Sequence, residues 1–419
     1  MGRVDFELDE VARELRQAAR ELAQRRLAPR AAALDEEERF PWENVEALGE
    51  AGFLGMMVAP EYGGAGASTL EHALVVEEVA RADASAAVLL EVHNALACGI
   101  LERFGDAQLK QAWLPRMVGR GLLGAYALTE PQAGSDAAAI RTRALRRGDR
   151  YRLEGMKTFI TGAGFADLYV VFAVTDPEAG KHGISAFLVP RESPGLAFGK
   201  PMKKMGIRAA LTAELYLDGV EVPAEWRIGR EGEGYKMALA CLDAGRVGIA
   251  AQALGIAEAA LEAARAYALE REQFGQPIAA FQGIQWKLAE LATEVEAARL
   301  LTYRAAWLAD RPGRHSAAIA QAKLFASRVA VAAALEAIQI HGGSGYVRET
   351  GVERLLRDAK ITEIYEGTSE IQRLVIAREL LSRSRVRAEA AASAQPEGAD
   401  QRQAHPEEPG AAQASQKRA

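Results

Sequence analysis

The run Ile364-Tyr-Glu-Gly-Thr-Ser-Glu-Ile-Gln372 puts one carboxylate, Glu366, in a tight corner just ahead of a helix start. Gly367 permits a sharp turn beside it, and its flanks Ile364 and Tyr365 are apolar. A carboxylate held this way is a candidate general base, because loss of surrounding water raises its pKa toward neutrality. Thr368 or Ser369 can cap the helix, and the Ser369/Gln372 spacing fits a capping box. The plainer reading is an acid that decorates a helix N-terminus, where negative charge is favoured anyway. The run alone leaves both readings open.

Four further segments carry residue types suited to ligands. Tyr126-Ala-Leu-Thr-Glu-Pro-Gln-Ala-Gly-Ser-Asp136 ends a strand in a loop rich in hydroxyls and free amides. Such a loop can bind a flat polar heterocycle and an anion together. Lys157-Thr-Phe-Ile-Thr-Gly162 offers an aromatic face and a hydroxyl. Arg271-Glu-Gln-Phe-Gly275 sets an arginine and an aromatic at a helix end, and Gln339-Ile-His-Gly-Gly343 ends another helix in two glycines. Taken singly, each also reads as a turn, a strand or a C-cap.

Other chemistries lack their signatures. No G-x-G-x-x-G follows a strand, no P-loop or H-E-x-x-H occurs, and the six histidines are scattered, so no metal set is expected. Gly342-Gly-Ser-Gly-Tyr346 falls short of a nucleophile elbow and follows a helix. The formal charge of −6 gives no basic footprint for nucleic acid or an anionic membrane. Cys98 and Cys241 are far apart and read as reduced, buried small hydrophobes. The first residues lack a basic-then-apolar signal pattern, and no uninterrupted apolar stretch approaches bilayer length. The expectation is a cytoplasmic protein without membrane insertion.

The elements that must position these residues fall into three parts by periodicity. Over 1–120 the pattern is helical, with Val11, Leu15, Ala18, Leu22 and Leu27 as the first stripe and Ser68/Glu71 as a capping box. Over 121–225 the period is two, with a hairpin around Arg147-Gly-Asp-Arg150 and strands at 168–174, 184–189 and 213–217. Without long intervening helices that sheet is expected to be antiparallel. Over 226–384 long helical patterns (238–269, 278–309, 316–340 and one from Ser369) point to a four-helix bundle. Residues 385–419 lack aromatics and read as a disordered tail. The fold class is α+β.

Together and in this order, Tyr126–Asp136, Lys157–Gly162, Asp243–Arg246, Arg271–Gly275, Gln339–Gly343 and Tyr365–Gln372 resemble the acyl-CoA dehydrogenase family over Leu8–Leu381. The stretch Ala240–Ile256 is most similar to its short-chain, butyryl-type branch. The resemblance implies a helical N-terminal domain, a middle β-domain, a C-terminal four-helix bundle and a tetramer built as a dimer of dimers. It implies non-covalent FAD lined by Tyr126, Ala127, Leu128, Thr129, Glu130, Pro131, Gln132, Ala133, Gly134, Ser135, Phe159, Ile160 and Thr161. Arg271, Phe274, Gln282, Gln339, Ile340, His341, Gly342 and Gly343 would reach the FAD of a neighbouring subunit, and Thr368, Ser369 and Glu370 that of their own. Acyl-CoA would meet Ser135, Asp243, Ala244, Gly245, Arg246, Tyr365 and Gly367.

Glu366 falls where the family keeps the base that takes the pro-R α-proton, while a hydride leaves Cβ for flavin N5, giving a trans-2-enoyl-CoA. Other branches place that base at the position of Gly245, which has no side chain to serve. Phe159 stands where Trp is common, Gln132 where Gly is, and Ala163 where Asn is. Electrons would pass to an electron-transfer flavoprotein. The alternatives are an acyl-CoA oxidase or flavin monooxygenase on the same scaffold, and a non-catalytic acyl-CoA-binding scaffold.

Overall fold

A computed structural model describes residues 8–393. The chain opens with α1 (Glu10–Leu22), α2 (Ala28–Glu37), α3 (Trp42–Glu50), α4 (Thr69–Ala82), α5 (Ala84–Glu91), α6 (Gly99–Phe104) and α7 (Ala107–Met117). Ser68 and Glu71 close the expected capping box at α4. The first stripe is displaced by one position: Ala12, Ala19, Ala23 and Leu27 are buried, Leu15 and Leu22 half-buried, while Val11 and Ala18 face outward. Small alanines let α1 approach α4 more closely than leucines would, so side-chain size misled the expected phase. A π-helical stretch, Val92–Cys98, joins α5 to α6.

The middle part is one eight-stranded sheet made of β1 (Gly124–Ala127), β2 (Arg143–Arg147), β3 (Arg150–Thr161), β4 (Leu168–Val174), β5 (Ile184–Pro190), β6 (Leu196–Phe198), β7 (Thr212–Pro223) and β8 (Arg227–Ile228). Its order is β6-β7-β3-β2-β4-β5-β8, with β1 on β4. The sheet is mixed, not purely antiparallel: β1 runs parallel to β4, and β2 meets β4 in parallel at Arg143–Val174. Residues 128–167, loop and hairpin together, supply the long crossover that a parallel pair requires. β4 and β5 are buried along nearly their whole length, hence their unbroken apolar runs.

The last part holds α8 (Gly234–Glu270), a short hairpin of β9 (Glu272–Gln273) and β10 (Gln276–Pro277), then α9 (Gln282–Ala309), α10 (Ser316–His341), α11 (Val352–Ile361) and α12 (Ser369–Ser393). α8, α9 and α10 pack side by side, and α11 lies against α8 and α10. α8 touches α4 at backbone distance, since a Cβ at Gly255 would overlap the carbonyl of Glu77. By packing the described residues form two compact units, divided between Ile376 and Ala377. The site described below lies in the first.

Two expectations change here. Residues 385–393 continue α12 instead of belonging to a tail, because Arg385–Ala392 is rich in good helix formers. The rest of the expected tail, 394–419, lies outside the described residues. Three helices (Ala84–Phe104, Gly234–Glu270 and Ser316–Tyr346) also reach the length and mean hydropathy of membrane spans, contrary to the sequence reading. Their apolar windows are 94%, 72% and 56% buried within the chain, which accounts for that composition as core.

Candidate active site

Glu366 sits five residues beyond α11, on backbone with φ 52°, and Gly367 follows at φ 98°. A non-glycine residue in the left-handed region costs about 1–3 kcal/mol, so the surroundings must enforce it. Two cations do so. Arg246 Nε donates to the Glu366 carbonyl at 3.1 Å, and Lys323 Nζ donates to the Gly367 carbonyl at 2.8 Å. Gln372 Nε2 donates to that same Gly367 oxygen at 2.8 Å. Gln372 therefore turns toward Gly367 instead of closing a box with Ser369, and Thr368 Oγ1 takes the cap by accepting from Ile371 N at 3.3 Å. With both carbonyls engaged, the N–H groups of Glu366 and Gly367 have no acceptor among the described residues.

The Glu366 carboxylate points inward. Its Oε2 is fully buried and without a hydrogen-bond partner. A Cβ at Gly245 would overlap that oxygen and lie 3.0 Å from Glu366 Cδ, so the bare backbone of α8 makes the niche. Burial pushes the carboxyl up to about 7, while Lys323 and Arg246 pull against it. Arg246 is itself neutralised by Asp243, Nη1 to Oδ1 at 2.6 Å, and Asp243 also accepts from Ser316 Oγ at 2.7 Å.

One turn further along α8, Gly248 makes the same allowance for Glu91, the last residue of α5. Glu91 is fully buried and neither of its oxygens has a hydrogen-bond partner. Burial and the nearby Glu366 carboxylate hold its carboxyl well above the usual range. His72 Nδ1 lies 3.6 Å from it, and burial lowers that imidazole to about 4, so it answers with no charge. Gln252 links three elements: its Nε2 donates to Ala84 O at 2.8 Å and its Oε1 accepts from the Tyr365 hydroxyl.

The 126–136 loop and the 157–161 strand lie together. Thr158 N donates to Thr129 O at 2.9 Å, and Lys157 Nζ donates to Glu130 Oε1 at 2.7 Å and to Leu128 O at 3.1 Å. Glu130 also accepts from Arg141 N and Thr142 N, and these donors with Lys157 bring its carboxyl down to about 2 despite burial. Its carboxylate is thus committed to the protein and is not free for a ligand. Ala127, Leu128, Ala133 and Ile160 are buried, leaving backbone groups to line any site, while Pro131, Gln132, Gly134 and Ser135 are exposed and Thr161 is half-buried. A register shift between Lys157 and Ile160 throws Phe159 outward at φ 55° and 67% exposure. The Tyr126 hydroxyl is buried without a partner. An outward aromatic face, hydroxyls on a polar loop and buried unpartnered polar atoms suit a planar heterocycle with polar edges.

Arg271, Phe274, Gln282, Gln339, Ile340, His341, Gly342 and Gly343 gather at the opposite end of α8. Arg271 lies 25 positions past Arg246, roughly 38 Å along a helix. The Phe274-Gly275 pair, both at positive φ, closes the β9–β10 hairpin, and Phe274 is 93% exposed. His341 is buried, with its ring stacked on Tyr267 at 4.2 Å. Within one chain, then, these residues and Glu366 do not meet. Thr368 is half-buried, Ser369 buried and Glu370 exposed; Ala244 is buried beside Gly245.

Family models described as acyl-CoA dehydrogenase N-terminal, middle and C-terminal domains match residues 9–120, 125–220 and 232–381. The chain belongs to the acyl-CoA dehydrogenase family. An acyl-CoA dehydrogenase of Bacillus subtilis is 47% identical over 367 residues, 88% of this chain and 97% of that one. The mouse mitochondrial short-chain specific enzyme is 49% identical over 375 residues, 90% of this chain and 91% of that one. The solved butyryl-CoA dehydrogenase of Megasphaera elsdenii superposes with a TM-score of 0.89 at 42% identity, covering 90% of this chain and all of that one.

Sequence reading passed over Glu91, Gln252 and Lys323. The signal was there in Glu91 and Lys323, lone charges inside the apolar runs Val88–Cys98 and Ala317–Ala326.

Proposed function

We propose that this acyl-CoA dehydrogenase removes two hydrogens from a short- to medium-chain acyl-CoA, with Glu366 as the base. The observation that carries the reading is the buried, unpartnered Oε2 of Glu366 in the niche left by Gly245. A carboxyl with a pKa of about 7 is ionised in a useful fraction at neutral pH and still basic enough to take an α-proton. The free N–H of Glu366 is available to the thioester oxygen, where negative charge develops as that proton leaves. Asp243, half-buried on α8, and Arg246 beside it suit the polar arm of CoA.

FAD is the cofactor, and when bound it accepts the hydride that leaves Cβ. Tyr126–Ser135 and Phe159–Thr161 would hold its ring system, Thr368–Glu370 would contact it from the same subunit, and the Arg271–Gly343 group would serve a neighbouring subunit's FAD. That last assignment is supported by the distance along α8, and it makes a homo-oligomer, a tetramer in this reading, necessary for activity. Electrons leave to an electron-transfer flavoprotein, and the protein works in the cytoplasm.

Glu366→Gln should retain FAD and bind acyl-CoA yet lose more than about 10³-fold in rate, the scale of a missing positioned base. Anaerobic flavin bleaching by a chain-length series of acyl-CoAs measures this, and near-wild-type bleaching in the variant removes the assignment. Exposing the reduced protein to air separates dehydrogenase from oxidase by peroxide yield.

A further inference from the structure

The catalytic corner has a charged neighbour to which no step above gives a part. Lys323 on α10 has no exposed surface, and its ammonium ends on the Gly367 carbonyl. A buried ammonium is costly unless opposite charge answers it. Three carboxylates favour its charge, Glu366 most and then Glu363 and Glu370, while the like-charged Arg246 opposes it. Glu363 is already paired with Lys360 at 2.6 Å, and the exposed Glu370 with Arg373 at 3.3 Å. Of the three, only Glu366 has a buried carboxylate oxygen, Oε2, without a hydrogen-bond partner.

The other groups facing Glu366 do not replace this partner. Arg246 on α8 is matched by Asp243; burial and the Glu366 carboxylate disfavour charge on Glu91 of α5; Tyr126 on β1 and the adjacent Tyr365 are phenols that burial keeps neutral. The unmatched positive charge is that of Lys323. Burial drives the lysine down to about 8 and the glutamate up to about 7, and each opposes the other's shift.

We propose that Lys323 is a positioning residue for proton abstraction: its ammonium fixes the Gly367 carbonyl, and with it the Glu366 corner, and supplies the charge against which the Glu366 carboxylate ionises. This rests on Glu366 being the base. Removing the charge makes the carboxylate harder to form, so a base that must be ionised to act needs a higher pH.

The test is kcat/KM for butyryl-CoA against pH in the wild type, K323R, K323Q and K323M, with FAD absorbance and Tm recorded for each. K323Q and K323M should move the acid limb upward by about 1 pH unit or more, the scale for loss of a neighbouring opposite charge, and regain much of their rate at high pH. K323R should keep the limb near its wild-type position. As a readout apart from turnover, a cycle combining K323Q with E366Q should show non-additive Tm changes between about pH 7 and 8, where the glutamate is ionised and the lysine still charged. An unmoved limb in folded K323Q, with only the plateau lowered, would overturn the proposal. So would a protein that folds only with a cation at 323, since that assigns the residue to the fold alone. A wild type that butyryl-CoA and longer esters fail to reduce at any pH defeats the base assignment instead, and the two failures are told apart.

Discussion

At Glu366 the geometry of one side chain depends on the absence of another. Gly245 gives the carboxylate its space, and a methyl group there would overlap Oε2. Gly245→Ala should therefore fold and bind FAD with Tm within a few degrees of wild type, while kcat/KM falls by about 10–100-fold, the order expected for a base displaced by about 1 Å. Unchanged kcat/KM would mean the carboxylate can turn aside without cost. This relation was half legible in the sequence. Glu366 and Gly245 could be named as alternative positions for a base, but only the fold brings two residues 121 positions apart into contact. Lys323 and Glu91 stand out in the sequence only as lone charges in apolar runs; the groups that Lys323 and Gln252 bond, and the niche at Gly248 that admits Glu91, lie on other elements.

At the level of elements, the ligand-facing loop 126–136 is held to β3 by a buried ion pair. Lys157 and Glu130 are almost fully enclosed; Lys157 also donates to Leu128 O of the loop, and Glu130 accepts from Arg141 N and Thr142 N just before β2. Lys157→Met strands the carboxylate, and breaking a buried pair from one side costs about 3–5 kcal/mol, which urea unfolding of the apo-protein measures directly. A loss under about 1 kcal/mol would show that water reaches Glu130. Period and punctuation located β4, β5, α8 and α10 to within a few residues, because each is long and uniformly patterned. They missed the three-residue β6, the two-residue β8 and the hairpin β9–β10, which are too short for periodicity to register. The parallel pairing of β1 escaped as well: four wholly buried residues carry no alternation.

Across the whole first unit, distant parts of the chain are tied by partly or fully buried polar contacts as well as by the core. Asp310 accepts from Thr69 N at 2.9 Å, Arg357 pairs with Asp35 at 2.7 Å, and Tyr303 donates to Glu77 at 2.6 Å. Asp358 on α11 accepts from Ile207 N at 2.5 Å, joining the segment before β7 to the helix that leads to the catalytic corner. Opening any one part therefore exposes unsatisfied groups in another, and the unit should come apart together.

The two thiols offer a gauge of that cooperativity. Cys98 and Cys241 are both sealed in, and burial keeps each protonated, Cys241 up at about 12. A disulfide dye that reports released thiolate should stay colourless with native protein for as long as the unit remains shut, then register both equivalents once denaturant is added. Slow colour in native buffer would instead clock spontaneous breathing, and equal rates at the two positions would mean that helices and sheet part in a single event.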